Sequence, residues 1–418
     1  MALLFSLPTY LPSTLPGSWQ SAPRQLATTE RQHTVFSVAY KGILLADVYA
    51  CPCSSAPAAA PVSTATNNDN NSHVAASWFT SWHDSNRDHP APLANVNWTK
   101  YTHMTFSFAL TTSDPNTISL DGVSGLLTDF VKAAKTNNVK ALLSIGGWTG
   151  SRYFSTNVGD TNRIAFVKAI TELATTYELD GIEFDGSFAK ALERRHWSAV
   201  HESQWFASVL DYIEIMTYDT WGPWSPTAGP NAPLDDSCAS PDQQVGSVTS
   251  AVNAWTTAGI SASQIIVAVG GYGHSFSVAS QDALLNGDNL ATYPKFDKSK
   301  HPPGDAWNDN ITTTDQCGNQ QFPGSIYDMW GLVAGGFLTQ NGTAADGFPY
   351  TWDSCSQTPF VYDKNSQTYV SYEDAQSFAA KGDFIKSKGL AGFNMWETGS
   401  DFNNILVDSI RSAAGFTE

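Results

Sequence analysis

Three carboxylates fall within six residues at Asp180-Gly181-Ile182-Glu183-Phe184-Asp185. The run that holds them, Leu179–Asp185, otherwise has the apolar texture of a buried strand. Side chains alternate along a strand, so Glu183 and Asp185 share one face and Asp180 lies on the other. Two acids on one inward face are costly to bury unless they share a proton or meet donors, which predicts a polar centre with perturbed carboxyls. A second group, Glu214–Asp219 (EIMTYD), brings Met216, Tyr218 and Asp219 to the end of another apolar run. Indoles at Trp82, Trp148, Trp221, Trp224 and Trp396 stand at or just past the ends of such runs, where flat faces can stack on a ligand. The nine His include no HExxH or paired metal spacing, the five Cys match no zinc pattern, and there is no GxGxxG or P-loop. No metal or cofactor is expected. Gly270-Gly271-Tyr272-Gly273 lacks phosphate-loop spacing and reads as a close backbone approach.

Those groups need a scaffold of strand ends. Short β-like runs alternate with helical ones from residue 77 onward, the signature of βα units around a parallel sheet. Candidate strands are Ser77–His83, His103–Leu110, Lys140–Gly147, Leu179–Asp185, Tyr212–Asp219, Gln264–Gly273 and Gly389–Glu397. Helices are expected at Ile164–Tyr177, with Phe166, Ile170, Leu173 and Tyr177 on one face, and at Val245–Thr257, with Val245, Val248, Val252 and Trp255 on one face and Gly259 ending it. Ser371 with Asp374 reads as a capping box for a helix running to Lys388. The fold class is α/β, a (β/α)8 TIM barrel, which needs eight strands. Seven are recognisable, and the missing one, strand 5, belongs in the 186–208 segment, which has no period of either kind. Residues 276–370 are too long for a bare loop and are expected to form an inserted subdomain between strands 7 and 8. The division is then 1–50, an N-terminal extension with a signal-like segment; 51–76, an Ala/Pro/Ser/Asn linker; 77–275 and 371–418, the two parts of the barrel; and 276–370, the insertion.

Composition narrows the partners. The 418 residues carry 22 Lys+Arg against 39 Asp+Glu, a net charge of −17. Such a chain repels phosphate backbones and anionic bilayers, so neither nucleic acid nor membrane is an expected partner. Only 15% of residues are charged, leaving a neutral polar surface, while aromatics reach 12%, more than a core alone needs. Val35–Ala50 resembles a secretory leader placed about 34 residues late, ending in Val48-Tyr49-Ala50. With the sequons at Asn70, Asn97, Asn310 and Asn341, this makes an extracellular monomer the expectation. Of Cys51, Cys53, Cys238, Cys317 and Cys355, a disulfide among the last three is expected, with no choice between the pairings.

Ser144–Trp148 (SIGGW), Leu179–Asp185 (LDGIEFD), Glu214–Asp219 (EIMTYD) and Trp396, each ending a strand in this order, resemble family-18 glycoside hydrolases, and more narrowly secreted fungal chitinases. The likeness spans roughly 77–185 and 209–415. It implies substrate-assisted, retaining hydrolysis of β-1,4-linked N-acetylglucosamine, in which the sugar's own acetamido oxygen attacks the anomeric carbon. By this resemblance Asp180, Glu183 and Asp185 hold the first three positions of the family pattern D-x-x-D-x-D-x-E. Asp185 would orient the acetamido group, Tyr218 would donate to its carbonyl, Met216 and Asp219 would line the subsite, and Trp396 would be the floor under the sugar. Trp148 and Trp224, read from their places past strand ends, are expected either to line the cleft or to pack within their loops. The ligands implied are chitin and chitooligosaccharides.

The fourth position, the catalytic acid, falls on Ser187. A hydroxyl cannot protonate a glycosidic oxygen. Asp185 lies roughly 7 Å and Glu183 roughly 13 Å deeper, so neither substitutes; Glu193 and Glu397 are placed by no pattern. Losing an acid worth about 10²–10⁴-fold should leave little turnover. One event at the junction after Asp185 (a splice variant, a misplaced exon boundary or a deletion) accounts for both the absent acid and the absent strand. The chain is therefore expected to be an impaired hydrolase, or alternatively a chitin-binding, lectin-like protein. A barrel lacking one strand would also expose two facing edges, with failure to fold as the third outcome.

Overall fold

Runs apolar on both faces become parallel strands, as a helix-covered barrel requires. The computed structural model describes residues 33–39, 73–85, 89–185, 207, 210–287, 289–308, 313–314, 320–321 and 325–416. In chain order the principal strands are β1 (His33–Ala39), β2 (Val74–Thr80), β3 (His103–Thr111), β4 (Lys140–Gly146), β5 (Gly181–Asp185), β6 (Tyr212–Met216), β7 (Ile265–Gly270), β8 (Tyr272–Ser277), β9 (Ile326–Asp328), β10 (Tyr350–Asp353), β11 (Thr358–Asp363), β12 (Thr368–Ser371) and β13 (Gly392–Trp396). Parallel pairings close a barrel in the order β2–β3–β4–β5–β1–β6–β7–β13, with β13 returning to β2.

All seven strands read from the sequence are present, five of them shortened at one or both ends. The first starts earlier than expected, and Ser81–His83 form a 3-10 turn at its end. The fifth place is filled out of chain order. β1 pairs with β5, His33–Ser37 against Gly181–Asp185, and with β6, Val35–Ala39 against Tyr212–Met216. The two facing edges expected from a seven-stranded barrel are thus both paired. β1 overlaps the stretch that resembles a leader, and the reason is compositional: a leader's apolar region and a buried parallel strand use the same residues. Residues 186–206, where chain order puts the fifth strand, lie outside the described residues, as do residues 51–72 of the expected 51–76 linker, whose last three residues, 74–76, belong to β2.

The longer helices are α1 (Ser124–Thr136), α2 (Arg163–Thr176), α3 (Val248–Thr257), α4 (Ala375–Lys388) and α5 (Ile405–Ala414). Two expectations need correction. The capping box of α4 is Asp374 with Ser377, each side chain accepting from the other's backbone N–H, while Ser371 belongs to β12. Val245, expected on the apolar face of α3, precedes that helix and is exposed; Ser247 with Ser250 caps it instead. α4 ends at Gly389, whose φ of +63° is the left-handed position a glycine takes readily. Phe79, Phe106, Phe130, Ile145, Val267 and Phe393 belong to the main core shared by strands and helices.

The chain between β7 and β13 builds a second, antiparallel sheet in the order β9–β8–β12–β11–β10. It begins at Tyr272, directly after the barrel strand, so the single strand read over 264–273 is two strands in two sheets. Gly273 permits this crossing, since a Cβ there would lie 1.9 Å from the Ser371 carbonyl oxygen. This sheet has its own apolar clusters, around Phe276, Phe360, Tyr362 and Tyr369 on one side and Tyr327, Val361, Val370 and Tyr372 on the other. Cys238, in the chain after β6, is disulfide-bonded to Cys355, in the turn between β10 and β11. Cys51, Cys53 and Cys317 lie outside the described residues.

Candidate functional site

The barrel is polar at its centre because two carboxylates there have donors. Glu183 on β5 is fully buried, and both its oxygens accept from Trp78 Nε1 on β2, at 3.0 and 2.9 Å. Glu214 on β6, also buried, accepts from Asn394 Nδ2 on β13 at 2.8 Å. Charge-assisted bonds of this kind offset the cost of taking a carboxylate out of water. Ser107 Oγ, Ser144 Oγ and Asn394 Oδ1 are buried there with no hydrogen-bond partner among the described residues.

One layer higher, at the C-terminal ends of the strands, Asp185 closes β5. Burial pushes its carboxyl up to about 7 from an ordinary 3.8. The strand beside it must be bare at this level: a Cβ on Gly146 would sit 1.8 Å from the Asp185 carbonyl oxygen. Tyr218 follows β6 by two residues. Its phenol is held well above its ordinary range, first by burial, then by the negative charge of Asp185, Asp219, Glu183 and Glu214. It therefore keeps its proton and can donate it in a hydrogen bond. Asp219 has a left-handed φ of +57°. Its Oδ1 accepts from the Tyr272 hydroxyl at 2.7 Å and lies 2.9 Å from His274 Nε2, which ties the β6 end to the second sheet. Met216, the last residue of β6, is half-buried beside them. Trp396 ends β13, with its ring 5.6 Å from Trp78, 5.8 Å from Phe108 and 6.3 Å from Trp82.

Of the residues named from sequence, Glu183, Asp185, Met216, Tyr218, Asp219 and Trp396 fall at the centre or the C-terminal ends of the barrel strands. Asp180 does not. It precedes β5 at the opposite end of the strand, where it accepts from the Ala141 N–H at 2.9 Å and pairs with Lys140 at 3.0 Å. Trp148, in the short helical turn after β4, is 88% exposed, and Trp224 is 51% exposed with His274 packed edge-on to its ring at 5.4 Å. Trp221 is buried against Tyr293 and belongs to the packing. Ser187 and Glu193 lie outside the described residues. Sequence reading missed Trp78, Glu214 and Asn394 as the donors and acid of the inner layer, and His83, Phe108 and Trp307 at the mouth. Trp78 carried a usable signal, an indole sharing one face of its strand with the smaller Val74, Ala76 and Thr80. Glu214 carried another, an acid inside the run YIEIM.

A carboxyl raised by burial, a phenol that stays a donor, and an indole floor can together hold a polar amide-bearing ring against an apolar face. On an eight-stranded parallel barrel with an added antiparallel sheet, this defines a barrel protein of the glycoside-hydrolase kind. The chain belongs to glycosyl hydrolases family 18, which matches residues 74–203 and 187–401. It is 43% identical over 368 residues to a chitinase-like effector of Moniliophthora roreri, covering 78% of this chain and 90% of that one. A chitinase-like effector of Moniliophthora perniciosa is 37% identical over 397 residues, covering 84% and 89%. Among solved structures, a chitinase from Rhizomucor miehei superposes with a TM-score of 0.67 at 25% identity, covering 81% of this chain and 99% of that one.

Proposed function

We propose that the protein binds β-1,4-linked N-acetylglucosamine oligomers at the barrel mouth, outside the cell, without hydrolysing them. The observation that carries this reading is a division within one motif. Asp185, Tyr218 and Trp396 would seat an N-acetyl group over an aromatic floor, while the family pattern that supplies Asp185 has Ser187 at its acid position. The Tyr218 hydroxyl would donate to the acetamido oxygen, Asp185 would meet its amide, and the pyranose face would lie on Trp396. Cleavage would also need a proton delivered to the leaving oxygen, and a serine hydroxyl is too weak an acid for that.

Relatives support the binding half. The Moniliophthora proteins are named chitinase-like. Human YKL-39, which shares the fold at a TM-score of 0.65 and 18% identity, is described as a pseudo-chitinase with retained chitooligosaccharide binding properties. The Cys238–Cys355 disulfide supports an oxidising, extracellular setting.

Calorimetric titration with N-acetylglucosamine tetramers to hexamers, beside a reducing-end assay on the same preparation, tests both halves. Saturable binding with no release of reducing ends is expected. Trp396→Ala should weaken binding by more than about tenfold, as loss of a central aromatic anchor does. Turnover would make the chain a hydrolase, and absence of binding would overturn the proposal.

A further inference from the structure

Trp82 is the outermost ring of an aromatic wall at the barrel mouth. It is 48% exposed and lies 24° from the plane of Phe108, with centroids 5.9 Å apart; Phe108 in turn lies 18° from Trp396. A half-exposed indole at the end of a strand has rotamer freedom to lose, and affinity gained from stacking on it depends on how much is already lost. The neighbour in sequence removes it. His83 packs edge-on against Trp82 at 5.6 Å and face-on against Trp307 at 3.7 Å and 16°. Trp307 is itself fixed, its Nε1 donating to the His89 carbonyl at 2.6 Å.

What anchors His83 comes from the far end of the chain. Its Nδ1 lies 2.6 Å from Oε1 of Glu397, whose side chain is 3% exposed, and 3.2 Å from the Thr80 hydroxyl. The other Glu397 oxygen is buried with no hydrogen-bond partner among the described residues. The 2.6 Å contact is a hydrogen bond between the imidazole and that carboxyl, and it holds the ring plane. Glu397 directly follows Trp396. One hydrogen bond therefore ties the loop carrying the outer indole to the strand end carrying the floor.

We propose that His83 and Glu397 are positioning residues that hold Trp82 as an outer platform of the cleft, so that oligomers reaching beyond Trp396 gain affinity through it. This rests on the reading that the mouth binds N-acetylglucosamine oligomers. The platform selects for length: a single N-acetylglucosamine seated over Trp396 does not cover Trp82, whose ring centroid lies 6.3 Å away, and a hexamer does.

The test is a double-mutant cycle on ligand binding, read by calorimetry with N-acetylglucosamine itself and with its hexamer. Trp82→Ala should weaken the hexamer about tenfold, the loss of one stacking contact, and leave the single sugar within about twofold. His83→Ala and Glu397→Leu should reproduce that pattern, and Trp82→Ala combined with His83→Ala should be no weaker than Trp82→Ala alone. If His83→Ala fails to melt cooperatively, Glu397→Leu, which keeps most of the volume and removes the acceptor, carries the test. Additive losses in the double variant, or equal losses for single sugar and hexamer, would mean that the pair only stabilises the fold. Unchanged hexamer binding in the His83 and Glu397 variants would remove their role altogether. A wild-type chain that binds neither ligand overturns the proposed function itself, and the platform with it.

Discussion

Asp185 makes an energetic statement as well as a chemical one. Burial raises its carboxyl to about 7 from an ordinary 3.8. Between those two values the unfolded chain has released a proton that the native chain still holds. The native state then binds more protons, and stability falls as pH rises across the window, levelling off above about 7. Asp185→Asn removes the titration, so its melting temperature should gain on the wild type from about pH 4 to pH 7 and stay ahead at constant margin beyond. Melts of both proteins at intervals across that range decide it, and a margin that does not grow would mean the carboxyl is better solvated than its site implies. This residue, Tyr218 and Trp396 were legible because each sits in a short string at a strand end. Asp180 belongs to the same string but sits at the other end of its strand. Five residues of strand place it roughly 16 Å below Asp185, at the end of a barrel strand where stability rather than chemistry is settled. The His83–Glu397 pair spans 314 residues, and no local pattern reports a contact of that separation.

At the scale of elements, strand composition carried most of the barrel, since runs apolar on both faces have few other uses in a soluble α/β fold. It did not carry order. β1 has the residues of a strand and also those of a leader, and only pairing distinguishes the two. The ambiguity has a measurable consequence. A chain beginning at residue 51, as cleavage after Ala50 would leave it, loses both ladders of β1 and bares the edges of β5 and β6. Each net backbone hydrogen bond is worth about 1 kcal/mol, so the loss of two ladders costs several. Residues 51–418 should melt at a lower temperature than the full chain and self-associate through the bared edges. Identical melts and identical elution would show that β1 contributes nothing to barrel closure. The disulfide offers a second, independent check, because it joins the chain after β6 to the second sheet across a separation of 117 residues. Closing a loop of that length restricts the unfolded chain by about 4–5 kcal/mol on chain-entropy grounds. Replacing both Cys238 and Cys355 by Ala should lower unfolding free energy by up to that amount, measured by denaturant titration. A loss below about 1 kcal/mol would mean that the unfolded chain is already compact there.

For the molecule as a whole, the net charge of −17 and the stacking and hydrogen-bonding groups of the cleft favour different ligands, and salt separates them. N-acetylglucosamine oligomers carry no charge, so their binding rests on stacking and hydrogen bonds, which screening leaves alone. Deacetylated glucosamine oligomers carry ammonium groups. The acidic field attracts these over distances longer than a contact, but they lack the acetamido group that Tyr218 and Asp185 would hold. Between about 20 and 500 mM NaCl the affinity for the acetylated hexamer should change by less than about twofold, while any affinity for the deacetylated hexamer should fall steeply. At the upper salt value the acetylated form should be strongly preferred, because only the field and not the site recognises the other. Equal salt dependence for both ligands would assign binding to the acidic surface. A deacetylated hexamer that still bound well at high salt would place recognition in the sugar ring and the aromatic wall, with the acetamido contacts contributing little.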